Sequence, residues 1–277
     1  HLLEIGSAQV KSAILFAALN IKGTTSIVEK VPSRDHTEIM LKYLGAKLKK
    51  EQDLISLTSP NFLKPKDLCI PGDFSSAAFI IVAVLLSKKS KVIIKDVGLN
   101  FYRIGLLDVL LNMSSKIQIL NTRKVNDEVI GDIEVESSEL TAVNVNKSLS
   151  PRLIDEYPIL FVAASYASGV SNFYGLDELK IKESNRLKTM STALSTNGVE
   201  LKLGEDSIHI TGNKYQEGGK EVFTENDHRI AMSMLVFGFF SNKSIIIDNM
   251  NMIKTSFPGF REIFDKLGAK IEYFQKY

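Results

Sequence analysis

The sequence is poor in the residues that most often staple a chain or bind a metal. Its one cysteine, Cys69, excludes a disulfide framework and a thiolate-rich zinc site, and fits a reducing compartment. The four histidines, His1, His36, His209 and His228, are scattered, which argues against a metal centre. Neither charge sign is in excess: 34 basic and 32 acidic residues leave +2, so bulk electrostatics points to neither nucleic acid nor an acidic membrane. The longest apolar run, Ala77 to Leu86, is half the ~20 residues a membrane span needs. No basic-then-apolar signal segment opens the sequence. The expectation is a soluble, cytoplasmic protein with no nucleic-acid or membrane partner. Phosphate loops of Walker or Rossmann spacing are missing, as is a Gly-x-Ser-x-Gly elbow.

What is present starts with arginine. Only seven of the 34 basic residues are arginine, so each is a candidate for a place where the planar guanidinium fork is needed. The 277 residues allow one large or two medium domains. Within that length one order of features recurs four times. A polar segment starts a helix, a β-branched strand follows, a second polar segment starts a second helix, and one or two strands close the unit.

The expected helices run over 10–19 and 37–44, 77–86 and 104–113, then 159–166 and 187–196, and finally 230–240 and 259–267. Strands are expected near 24–28, 46–49, 54–57, 91–94, 117–120, 133–135, 171–174, 199–203, 207–210, 244–247 and 269–273. Alternation of helix and strand argues an α/β class, and repetition argues pseudo-symmetric packing.

The polar segments before the helices hold the reactive side chains. Arg34, Arg103, Arg186 and Arg229 fall at helix starts, where the macrodipole disfavours a cation, so an anionic ligand is the natural reason for them. Each segment alone also has a plainer reading. Ser7 and Asp155 could be helix caps, residues 182–186 a solvated first turn, His228 a packed ring, and Arg34 and Arg103 partners in surface ion pairs.

Taken together, seven segments resemble one family. They are Gly6-Ser7-Ala8-Gln9-Val10-Lys11-Ser12-Ala13, Ser33-Arg34-Asp35-His36-Thr37-Glu38, Pro71-Gly72-Asp73 with Ser75-Ser76, Asp155-Glu156-Tyr157-Pro158, Lys182-Glu183-Ser184-Asn185-Arg186-Leu187, Asp227-His228-Arg229-Ile230-Ala231-Met232, and Thr255-Ser256-Phe257-Pro258. In that order they resemble 5-enolpyruvylshikimate-3-phosphate synthases, most closely the bacterial branch with glyphosate-tolerant members.

The resemblance implies βαβαββ units forming inside-out α/β barrels, the enolpyruvyl transferase fold, in two domains that face a cleft. Residues 1–71 would end the upper domain and residues 72–277 would form most of the lower one. Four units of a family six, and His1 in place of methionine, read the chain as the carboxyl-terminal two-thirds of such an enzyme, with an incomplete first domain and no activity by itself.

By the same resemblance the reaction moves the enolpyruvyl group of phosphoenolpyruvate onto the 5-hydroxyl of shikimate 3-phosphate and releases phosphate, without cofactor or metal. Ser7, Gln9, Arg34, Asp155 and Lys182 would contact shikimate 3-phosphate, and Gln9, Arg186 and Arg229 phosphoenolpyruvate. Asp155 would be the general base and Glu183 the proton donor to the methylene carbon, while His228 would orient Arg229 and the complete protein would be a monomer. Asn185 departs from the family's usual Asp, and Phe101-Tyr102-Arg103-Ile104 from its usual Pro-Thr-Arg-Thr. The rival readings are the sister transferase acting on UDP-N-acetylglucosamine and a noncatalytic module built from the same repeats.

Overall fold

The structure is a computed structural model that describes residues 1–59 and 62–273. The first repeat runs β1 (Leu2–Leu3), α1 (Ala8–Ala18), β2 (Gly23–Glu29), α2 (His36–Tyr43), β3 (Leu48–Glu51) and β4 (Leu54–Ser59). The second has α3 (Phe74–Leu86), β5 (Lys91–Gly98), α4 (Gly105–Asn112), β6 (Lys116–Val125) and β7 (Glu128–Glu136). The third has β8 (Asn144–Val145), α5 (Tyr157–Tyr166), β9 (Gly169–Tyr174), α6 (Arg186–Thr196), β10 (Glu200–Leu203) and β11 (Ser207–Gly212). The fourth has β12 (Glu221–Val222), α7 (His228–Phe240), β13 (Ile246–Ile247), α8 (Ile253–Ser256) and α9 (Phe260–Lys266).

The repetition read from sequence recurs in the hydrogen bonding. In the first repeat the sheet order is β1-β2-β4-β3, with β1 parallel to β2 and the other pairs antiparallel. The third repeat has the equivalent order β8-β9-β11-β10, again with only its first pair parallel. Order β5-β7-β6 in the second repeat, and the parallel pair β12 and β13 in the fourth, follow the same plan. The first, third and fourth repeats thus open with a short strand parallel to the one after their first helix, the second has an isolated parallel bridge from Gly72 to Val97 at that place, and the first and third show the full βαβαββ order. The β10–β11 hairpin closes through Gly204 N donating to Ser207 O at 2.8 Å.

Two compact units emerge. One comprises residues 1–74, 94–105 and 119–133, and the other residues 75–93, 106–118 and 134–277. In the first, Leu15 and Ala18 of α1 pack with Ile27, Leu41, Leu48, Ile55 and Leu57. In the second, every residue of α5 is buried and α7 is buried along most of its length, so helices fill the interior while β9 and β11 each present a solvated face. This is the inside-out order: the apolar all-round helices are the ones that need burial on all sides. Among the described residues no helix is long and apolar enough to cross a membrane.

Two expectations fail locally. The strand expected at 269–273 does not form: α9 ends with Gly268 at φ +94° and Ala269 N donating back to Phe264 O at 2.9 Å, and no described strand takes up the residues that follow. The segment at Lys254 to Ser256, read as a polar lead-in, instead forms α8, because Phe257 N finds Ile253 O at 2.7 Å.

Candidate functional site

The expected site residues fall into the two units. Ser7, Gln9 and Arg34 lie in the first. Asp155, Lys182, Glu183, Arg186 and Arg229 lie in the second.

In the first unit Ser7 is the N-cap of α1, its Oγ accepting from Val10 N at 3.3 Å. Its plain reading as a cap is therefore correct locally, and it leaves the hydroxyl proton available to a ligand. Gln9 is exposed in the same turn, and Arg34 is half-buried in the segment leading into α2. Arg103 Nη2 lies 3.7 Å from Asp73 Oδ1. His36, beside Arg34, is held below the ordinary histidine pKa by burial and then by the Arg34 and Arg103 guanidiniums, so its ring is neutral at pH 7.

The second unit assembles a dense polar cluster. Arg186 opens α6 and is only 1% exposed. Its guanidinium is shared among three carboxylates: Nε donates to Asp227 Oδ2 at 2.7 Å, Nη1 to Asp155 Oδ1 at 3.4 Å, and Nη2 to Glu183 Oε2. Asp227 is the N-cap of α7, its Oδ1 taking the Arg229 N–H at 2.9 Å while Oδ2 also accepts from Ser184 Oγ at 3.1 Å. Arg229 reaches back over the start of α5, where Nη1 donates to Asp155 O at 2.9 Å and to Glu156 Oε1 at 3.4 Å. Its Nη2 donates to Ser75 Oγ at 3.4 Å and stands 3.9 Å from Asp155 Oδ2, and Ser75 Oγ donates to Glu156 Oε1.

Asp155 is thus a carboxylate flanked by two guanidiniums and still 16% exposed. It does not cap α5, whose N-cap position is Glu156. Lys182 pairs with Glu178 one turn away. His228 makes none of the bonds that hold Arg229; Asp155, Glu156 and Ser75 do, which corrects its assignment as the orienting residue. Burial and then the Arg229 cation hold His228 below the usual histidine pKa.

Two of the four cations at helix starts, Arg186 and Arg229, are matched by carboxylates of the fold itself. Four carboxylates, Asp155, Glu156, Glu183 and Asp227, surround two arginines. The reason is desolvation: a guanidinium taken out of water needs its N–H groups satisfied and its charge matched. Of the partners, only Glu183 is mostly exposed, at 53%, so it is the carboxylate that can leave at least cost. An incoming anion would take its place on Arg186 Nη2. Sequence reasoning passed over Ser75, Glu156 and Asp227 as participants although all three stand in the quoted segments. Asp and Ser directly before an apolar helix was the available signal.

The helix-inside, sheet-outside repeats with paired arginines at helix starts are those of the enolpyruvyl transferase fold. The enolpyruvyl transferase NikO of Streptomyces tendae superposes with a TM-score of 0.75 at 18% identity, over 97% of this chain and 60% of that one, a likeness of fold alone. EPSP synthase from Acinetobacter baumannii superposes with a TM-score of 0.93 at 36% identity, over 99% of this chain and 63% of that chain. The family described as EPSP synthase (3-phosphoshikimate 1-carboxyvinyltransferase) matches residues 2–264, and the chain belongs to that family. Among curated relatives, the 3-phosphoshikimate 1-carboxyvinyltransferase of Bartonella quintana is 45% identical over 276 residues, and that of Zymomonas mobilis 44% over 279. These alignments take in 97% and 98% of this chain, which spans 62% of the length of each of those relatives.

Proposed function

We propose that the protein carrying this chain transfers the enolpyruvyl group of phosphoenolpyruvate to the 5-hydroxyl of shikimate 3-phosphate, releasing phosphate, in the cytoplasm and as a monomer. The observation that supports this reading most is the Asp155 carboxylate held between the Arg186 and Arg229 guanidiniums. In this reading residues 1–71 end one domain and residues 72–277 make most of a second.

Asp155 takes the proton of the 5-hydroxyl as its oxygen adds to C2 of phosphoenolpyruvate, and Glu183 delivers a proton to C3. Loss of phosphate through C–O cleavage, with return of a C3 proton to Glu183, restores the C2=C3 double bond and leaves the product as an enol ether. No phosphorus–oxygen bond breaks, so the in-line geometry of phosphoryl transfer is not needed. Arg186 and Arg229, with Gln9, hold phosphoenolpyruvate through forked bonds suited to carboxylate and phosphate. Ser7, Gln9, Arg34, Asp155 and Lys182 hold shikimate 3-phosphate. The substrates' anionic groups repel by several kcal/mol at close range, which the cations offset.

The test is phosphate release from shikimate 3-phosphate plus phosphoenolpyruvate. Asp155→Ala and Arg229→Ala are each expected to lower kcat/KM by about 10²–10⁴. Unchanged turnover in both sinks the reading, and phosphate release with UDP-N-acetylglucosamine as acceptor replaces it with the sister reaction.

A further inference from the structure

Helix α1 buries a stripe of three residues, Lys11, Leu15 and Ala18, spaced four and three apart. That spacing is the one by which an amphipathic helix presents apolar side chains to its core, so a lysine occupies a hydrophobic position. Lys11 is 0% exposed. Its Nζ lies 2.8 Å from Glu38 Oε1 and 3.1 Å from Glu29 Oε2, and donates to the Ser33 carbonyl at 3.3 Å. Glu29 turns its other oxygen to Ser33, accepting from the backbone N–H at 3.1 Å and from the hydroxyl. Beside the cluster, Ser12 Oγ and Thr37 Oγ1 are 2.7 Å apart and tie α1 to α2.

Stability does not account for this arrangement, because buried ion clusters are often replaceable by apolar residues of the same volume without loss. Direction does. The ammonium donates to Glu29 at the end of β2 and to Ser33 on the segment between β2 and α2, and its charge pairs with Glu38 on the first turn of α2. An apolar side chain would fill the space and fix none of them.

What these segments carry gives the cluster its purpose. One turn before Lys11 stand Ser7 and Gln9, with Lys11 N donating to Ser7 O at 3.0 Å. Directly after Ser33, whose carbonyl, N–H and hydroxyl are all held, stands Arg34. We propose that Lys11 is a positioning residue that fixes the Ser33–Arg34 segment against the first turn of α1, so that Arg34, Ser7 and Gln9 meet one phosphorylated substrate; this rests on the reading of those three residues as contacts of shikimate 3-phosphate. Burial raises the Glu38 carboxyl above its ordinary pKa, against the pull of the Lys11 ammonium in the other direction, which fits a tightly enclosed cluster.

The experiment is steady-state kinetics on the protein carrying this chain, as Lys11→Met and as the triple Lys11→Met/Glu29→Gln/Glu38→Gln, which leaves no buried charge unpaired. The single variant risks unfolding; the triple keeps the question open to measurement. In the triple, KM for shikimate 3-phosphate is expected to rise roughly tenfold to a hundredfold. KM for phosphoenolpyruvate and kcat should change far less, because Arg34 and Ser7 serve shikimate 3-phosphate alone, while phosphoenolpyruvate keeps Arg186 and Arg229 besides Gln9. A triple variant whose KM for shikimate 3-phosphate equals wild type, or whose two KM values rise together, overturns the positioning role.

Arg34→Ala separates the two levels. If it too leaves that KM unchanged, the reading of Arg34 as a substrate contact falls and the proposal with it. If it raises that KM while the triple does not, only the role of Lys11 falls.

Discussion

Arg186 Nε donates to Asp227 Oδ2 at 2.7 Å, and neither side chain reaches solvent. The same carboxylate caps α7 through its other oxygen, so one aspartate fixes a buried cation and starts a helix. Asp227→Ala takes from Arg186 the one fully buried of its three carboxylate partners and removes the cap together. The expected loss is about 3–5 kcal/mol, read from urea unfolding, with Arg186→Met comparably destabilising. The double variant Arg186→Met/Asp227→Ala should lose less than the two singles added, since no buried charge is then left without its partner. Additive losses would mean the two side chains are not coupled.

Glu183 occupies Arg186 Nη2 while remaining the most exposed carboxylate of the cluster. Glu183→Gln keeps the side chain's shape and removes a charge that competes with an anionic ligand. Phosphoenolpyruvate should bind such a variant about three- to tenfold more tightly, a gain expected from the loss of one like charge at effective surface screening. With Glu183 in the proposed role of proton donor, turnover should fall about 10²–10⁴-fold. Calorimetry and single-turnover kinetics read the two effects separately, and weaker binding would mean that Glu183 does not stand in the anion's place.

Burial, offset by the Lys11 ammonium, leaves Glu38 with a pKa above its usual 4.5. Between 4.5 and the raised value the native state holds a proton that the unfolded chain releases, so this carboxyl makes stability fall as pH rises through that window. Glu38→Gln abolishes that contribution. Its stability relative to wild type should improve with rising pH across the window and then level off, measured by urea midpoints at a series of pH values. A constant difference would place Glu38 at its ordinary pKa.

Gly212 ends β11 against the C-terminal end of α5. A methyl group there would stand 1.9 Å from Ala167 O and 2.6 Å from Ala164 O, both backbone atoms that cannot swing aside. Gly212→Ala must push strand and helix apart, at a cost of about 1–3 kcal/mol or somewhat more. A thermal midpoint equal to wild type would contradict the close approach.

Much of the architecture was legible beforehand because its determinants are local. Apolar spacing in Ala77–Leu86 and Ile230–Phe240, Ser7 as a cap, and glycine beyond Thr196 and Leu267 set helix limits to within a few residues, whereas Asp155 does not cap its helix. The four-fold recurrence then followed from the order of those signals. Strand 269–273 was misjudged because a strand exists only through its neighbour, and β-branched composition does not supply one.

The candidate site was half legible. Sequence placed four arginines at helix starts but not the side chains that Arg186 and Arg229 meet there. Their partners lie far along the chain: Asp227 is 41 residues from Arg186, and Ser75 is 154 from Arg229. Lys11 shows the same limit from the other side, since the apolar stripe of α1 already marked it as out of place, yet Glu29 and Glu38 become its partners only when β2 and α2 pack on that helix.

By itself, then, the sequence determined the repeat, the helix boundaries and which segments carry reactive groups, because spacing, capping and turn chemistry act over a few residues. Tertiary structure alone decided which carboxylate faces which cation. Ion pairing depends on distance and desolvation, and both are set by chain segments that meet only once the fold has formed.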